Sequence, residues 1–317
     1  MRYKILGSPA PLATPVEDPL HRAAFAYRVQ GVLEDGAPTT LIEVYAQRQT
    51  LYPSAERACR LLMECYLLAR HRLGLDHPLR YERLLRVFLM TEGKAGAEQQ
   101  QNLIYLYDLS ERVPPHEWVR ELTHEYGHWI LPPINSFVEP EPWANGDLGE
   151  RWFTYYLVER AKQAAPRGFG EAHEFLMGAS LDVLVAYLRR TVEPLVERMA
   201  REGLNLQRWR SRRRDGYEEY LALALYLDRV YGSRRLGRAM LCAGGFEPDD
   251  FLRGARESLT EPETLEASVP FPNAYLFLPG GAARWRVVEP REAKLMPDPK
   301  RLEWARCTAT NLRLRRR

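Results

Sequence analysis

The stretch "PPHEWVRELTHEYGHWILPP", residues 114–133, constrains the fold more than any other part of the chain. Pro114 and Pro115 stand where a first helical turn tolerates proline, and Pro132 and Pro133 end the pattern. Between them, a turn of about 100° per residue places Trp118, Val119, Leu122, Tyr126, Trp129 and Ile130 on one arc. That apolar arc demands a packing partner. His124 and His128 fall nearly opposite it, with Glu117 and Glu121 above them on the same side. The two histidines therefore stand outside the packing stripe.

Two imidazoles one turn apart on a helix can hold a single zinc ion at about 2.0–2.1 Å each. Glu125 follows His124 and projects to one side of the pair, where it would not bind the metal but could take a proton from a water on it. Zinc lowers the pKa of such a water toward about 7, which is why His-Glu-x-x-His needs those residue types at those positions. A catalytic zinc also needs a third protein ligand and an open position. The pattern His-Glu-x-x-His-x-x-Gly-x-x-His is excluded, because its glycine position is Leu131 and its last histidine position is Ile134.

The elements around this helix predict an α+β fold. The first fifty residues read as strands, "AFAYRVQGV" and "TLIEVYAQRQ", separated by the turn signal "EDGAP". Pro53 and Ser54 open a helix that Gly74 closes. "LLRVFLMTEG" and "QNLIYLYDL" read as neighbouring strands joined by the polar stretch "KAGAEQQQ", with the second at an edge. After the proline-rich loop "FVEPEPWANGDLG" the chain reads as helical to about residue 258. "AYLFLPGGAARWRVV" then reads as a hairpin around Pro279-Gly280-Gly281. The expected divisions are residues 1–50, an N-terminal β segment; 51–133, the sheet with the motif helix; 134–260, a helical half; and 261–317, a C-terminal β segment.

Composition narrows the function. With 317 residues and 45% hydrophobic content the chain is long enough to bury a large core. A net charge of +3 points to no global attraction for nucleic acid. "RWRSRRRDG" and the terminal "NLRLRRR", read as a frayed end, are arginine clusters able to neutralise phosphates, but no nucleic-acid reading module accompanies them. No apolar run approaches the length of a membrane span, and "MRYKILGSPAPLATP" lacks the apolar core of a signal peptide. Cys59, Cys65, Cys242 and Cys307 form no CxxC pair, so free thiols and a cytoplasmic location are expected.

"HEYGH" followed by "GDLGERWFTYYLVE" resembles the gluzincin metallopeptidases, zincins in which a glutamate on the following helix completes the zinc site. The resemblance covers residues of about 50 to 245 and implies a zincin-like catalytic core acting on peptide substrates. Carried over position by position, His124, His128 and Glu150 would be the zinc ligands and Glu125 the general base. Glu150 lies 22 residues beyond His128, farther than the family commonly uses; Asp147 falls nearer the usual distance, and Glu139, Glu141 and His173 are further alternatives. The family often takes an oxyanion donor from a later helix, which "RRRDGYEEYLALALYLDRVYG" resembles; Tyr217 is the candidate there, with Tyr220 behind it. Glu92 lacks the surrounding pattern with which aminopeptidases of this group hold a free amino terminus, so an endopeptidase is favoured. "NLIYLYD", as an edge strand, would hold an extended peptide through main-chain hydrogen bonds. The rival expectation is a protein that binds zinc on this scaffold and cleaves nothing.

Overall fold

The computed structural model describes residues 2–109, 113–164 and 174–317. The chain divides into two compact units, one of residues 1–71, 75–131 and 149–188, the other of residues 72–74, 132–148 and 189–317. The fold is α+β, as expected from the sequence.

The first unit is built on a six-stranded mixed sheet. Its strands are β1 (Tyr3–Gly7), β4 (Tyr27–Leu33), β5 (Thr39–Ala46), β6 (Leu85–Leu89), β7 (Gly96–Gln100) and β8 (Leu103–Tyr107), in the order β1-β4-β5-β6-β8-β7. A short ribbon of β2 (Val16–Glu17) and β3 (Ala24–Phe25) accompanies it. β5 and β6 are parallel, so the chain must cross between them, and α1 (Tyr52–Leu68) makes that crossover while packing on β4 and β5. The register aligns Tyr45, Phe88 and Tyr105 side by side on three strands, with ring centroids 5.2 Å apart at each step. Period two sends Val44, Val87 and Ile104 to the other face, where they too are fully buried. The centre of the sheet is thus covered on both sides.

That burial corrects the edge-strand expectation. β8, the "LIYLY" of the sequence, pairs with β6 on one side and β7 on the other. The edge belongs to β7, "GAEQQ", inside the stretch expected to be a connector. A strand buried on both faces reads as a continuous apolar run, whereas a polar, half-buried one suits an edge. The motif helix α2 (Pro115–Ile130) lies against this edge strand.

In the second unit, α5 (Glu193–Glu202), α7 (Arg214–Tyr231), α8 (Ser233–Cys242) and α9 (Pro248–Thr260) stand beside two three-stranded sheets; α3 (Asn145–Ala164) and α4 (Leu181–Thr191) each run from one unit into the other, and α6 (Leu206–Trp209) is a single turn. One sheet has the order β10-β13-β12, with β10 at Tyr275–Phe277, β12 at Leu295–Asp298 and β13 at Arg301–Cys307. The other has the order β11-β14-β9, with β9 at Thr264–Ser268, β11 at Trp285–Glu289 and β14 at Asn311–Arg316. Tyr226 and Tyr231 of α7 donate hydrogen bonds to the carbonyls of Tyr275 and Phe277, which fastens helix to strand.

Two further expectations are corrected here. β10 and β11 do not form a hairpin: Gly280 and Gly281, both at positive φ, and a 3-10 turn at Ala282–Arg284 carry the chain from one sheet to the other. The terminal "NLRLRR" is not a frayed end but the middle strand of its sheet, with Leu312 and Leu314 turned inward and Arg313 outward. Among the described residues, no helix is long and apolar enough to cross a membrane. All four cysteines are free, and three of them are buried.

Candidate metal site

α2 forms where the prolines place it, with Pro114 as N-cap, Glu117 in the first turn and an extended Leu131 at its end. The apolar arc is buried as the periodicity requires. His124 and His128 are half-buried, and their Nε2 atoms stand 3.1 Å apart with the rings nearly perpendicular. Two nitrogens at that separation can both lie about 2.0–2.1 Å from one zinc ion, so the pair fits the metal that the motif implies. Glu125, 6% exposed, is buried beside them on the same helix.

A close helix crossing brings α3 to this pair. A Cβ on Gly149 would lie 2.5 Å from Cα of Gly127 and 3.0 Å from the carbonyl oxygen of Thr123. Only a glycine at 149 lets the backbones approach this closely, which gives the glycines of "HEYGH" and "GDLGE" a structural use. Around the crossing, the hydroxyls of Thr123 and Thr154 are 3.4 Å apart and the rings of Tyr126 and Phe153 meet edge to face at 5.2 Å. The helix begins at Asn145, earlier than the sequence suggested, so Glu150 stands in its second turn and Asp147 one turn before it on the same face.

Glu150 is held tightly. Arg120 donates from Nε to its Oε1 at 2.6 Å, and the Tyr187 hydroxyl donates to the same oxygen at 2.5 Å. The Arg120 guanidinium also covers the Tyr187 ring at 4.6 Å and reaches Glu117 at 2.7 Å. The other oxygen, Oε2, lies 3.5 Å from Nδ1 of His124. Burial alone would raise the pKa of Glu150, but the contact with His124, the charges of Arg120 and Arg151 and the Tyr187 hydrogen bond together lower it to about 2. Burial raises Glu121 on the same helix, with His124 opposing.

Tyr217 lies in the first turn of α7, where the sequence placed it. Within its unit, its hydroxyl donates to Glu141 at 2.7 Å, and its ring meets Phe137 at 5.1 Å. Burial, then the negative charges of Asp147 and Glu141, push its pKa well up, so it stays a donor. The Tyr220 hydroxyl is buried without a hydrogen-bond partner among the described residues, and its ring packs on Phe251. The loop that carries Glu141 is pinned at two points, from Asn135 N to Phe246 O and from Val138 N to Arg212 O, each 2.7 Å.

Among the described residues, the candidate ligand sets for a metal ion are His124, His128 and Glu141, and His124, Asp147 and Glu150. His128 groups with His124 in the first set and Glu150 groups with His124 in the second; Glu150 lies toward Nδ1 of His124, and His128 toward its Nε2. Glu139 is exposed, and His173 lies outside the described residues. Sequence reasoning missed Arg120 and Tyr187. Arg120 stands one turn before His124 and was legible as a neighbour; Tyr187 comes from a distant helix, and nothing local announces it.

No known protein family matches the sequence, and no curated protein matches it. Among solved structures the chain is similar to Legionella pneumophila aminopeptidase A, in a crystal structure with aspartic acid, at 14% identity and a TM-score of 0.36. That match covers 99% of this chain and 40% of the other, so the chain spans less than half the length of its structural neighbour.

Proposed function

We propose that this chain is a zinc-dependent peptidase. The observation that carries the reading is the pair of Nε2 atoms 3.1 Å apart on a helix whose next residue, Glu125, is a buried carboxylate. His124 and His128 are two ligands; a carboxylate is the third, drawn from Glu150, Asp147 and Glu141, of which the resemblance assigns Glu150. Zinc, when bound, would polarise the substrate carbonyl and acidify a water toward a pKa of about 7. Glu125 takes the proton of the attacking water and returns it to the departing amine. Tyr217, a buried phenol that keeps its proton, donates to the oxyanion once its hydroxyl turns from Glu141. The open edge of β7, beside α2, takes over from β8 as the strand that receives an extended peptide. Internal peptide bonds are the proposed targets, since Glu92 has no partner motif for a free amino terminus.

The test is Glu125→Gln measured on two axes. Zinc content should stay near one per chain while cleavage of a peptide library, including substrates blocked at the amino terminus, falls by about 10²–10⁴. Cleavage confined to unblocked peptides would make the enzyme an aminopeptidase. Zinc without any cleavage by the wild type would leave a binding role for the scaffold.

A further inference from the structure

The contacts of Glu150 do not suit a zinc ligand, and they suit a different task well. One of its oxygens is fully engaged: Oε1 accepts from Arg120 Nε at 2.6 Å and from the Tyr187 hydroxyl at 2.5 Å. A carboxylate already neutralised by a guanidinium and bonded to a phenol is a weak donor to a dication, and the guanidinium charge beside it repels one. The remaining oxygen addresses the wrong side of the imidazole. Oε2 lies 3.5 Å from Nδ1 of His124, whereas the nitrogen of that ring that faces His128 is Nε2, at 3.1 Å. A histidine that binds a metal through one ring nitrogen almost always gives the other N–H to a carboxylate, a carbonyl or a water, and this fixes its tautomer and orientation.

We propose that Glu150 is the outer carboxylate of His124, not a ligand: it accepts from Nδ1–H, turns Nε2 toward the metal position shared with His128, and is itself held in place by Arg120 and Tyr187. Arg120 and Tyr187 are then positioning residues. The guanidinium carbon lies over the Tyr187 ring, 4.6 Å from its centroid, and the group is tied at its far end to Glu117, so the clamp is anchored on α2, the helix that carries the histidines. Tyr187 reaches in from α4, and Glu150 from α3. Three helices thus converge on one carboxylate, which positions the His124 ring from behind. It follows that the third protein ligand is a residue other than Glu150.

This inference rests on the reading that His124 and His128 bind zinc, and the experiment separates the two. Full-length protein is stripped of metal, and zinc affinity and stoichiometry are measured by competition with a chromophoric chelator. The wild type is compared with His124→Ala, Glu150→Gln, Tyr187→Phe and the double variant Glu150→Gln/Tyr187→Phe. Glutamine keeps an acceptor for Nδ1–H, so Glu150→Gln should still bind one zinc, about 10–100-fold more weakly. Tyr187→Phe should bind one zinc several-fold more weakly, with no further loss when added to Glu150→Gln, because its effect passes through the carboxylate. His124→Ala should bind none. Stoichiometric zinc lost in Glu150→Gln, with the apo protein folded by circular dichroism, would make Glu150 a ligand and overturn the inference alone. If Glu150→Gln does not fold, Tyr187→Phe decides: unchanged zinc affinity there overturns the clamp. A wild type that binds no zinc overturns both readings.

Discussion

Replacing Gly149 by alanine tests the helix crossing on which the site depends. The added methyl would lie 2.5 Å from Cα of Gly127, 3.2 Å from its nitrogen and 3.0 Å from the Thr123 carbonyl oxygen. Carbon atoms in contact prefer about 3.5–4.0 Å, so α2 and α3 must part by about 1 Å. The obstructing atoms are all backbone, with no flexible side chain to swing aside. Overpacking of this kind costs about 1–3 kcal/mol, and a rigid backbone obstacle puts it toward the upper end. Alanine in a helix returns about 1 kcal/mol relative to glycine. The net expectation is a loss of about 2 kcal/mol, or a fall in Tm of about 4–8 °C for a domain of this size. Thermal unfolding followed by circular dichroism reads the first effect. Zinc affinity reads the second, which should drop about tenfold as Glu150 moves away from His124. A Gly149→Ala protein that melts at or above the wild-type temperature, with zinc binding intact, would show only the propensity gain and refute the crossing.

Other outcomes follow from the same structure. Tyr217→Phe should lower kcat by about 10²–10³ with little change in KM, as expected for a donor used only in the transition state; an equal fall in zinc affinity would instead make it a prop for Glu141. Leu314→Ala, in the fully buried middle of β14, should cost about 2–5 kcal/mol in urea unfolding, whereas a frayed end would show nothing measurable. A proline at Glu98, within the edge strand β7, should impair binding of extended peptides more than it impairs zinc binding; equal loss of both would place the strand in the support of α2 rather than at a peptide.

The motif helix was legible because two independent codes agree there: proline punctuation at both ends and a 3.6-residue apolar period between. α7 and the central strands were legible for similar reasons. The edge of the sheet was not, because strand order is set by long-range pairing that a local window does not contain. "LIYLY" looked like a strand with a free side and is walled in on both; "GAEQQ" looked like a connector and is the edge. The Pro-Gly-Gly signal correctly marked a turn but could not say whether the strands it separates belong to one sheet. At the site, the spacing of His124, Glu125 and His128 carried the local geometry. The surroundings of Glu150 were hidden, since Tyr187 meets it across 37 positions of sequence and only the folded chain brings them together.

The position of β14 has a consequence for how the C-terminal sheet comes into being. Among the described residues, β9 and β11 share no ladder with each other; each pairs only with β14, the last of the three along the chain. Until residues 311–316 arrive, both are lone strands with open edges on either side, waiting for a partner more than twenty residues downstream of β11 and forty of β9. Closure of this sheet is therefore a single late event rather than a growth from one hairpin outward. A chain shortened by its last few residues would not lose an ornament at the rim. It would lose the keystone, and leave two unpaired strands open to association with other chains.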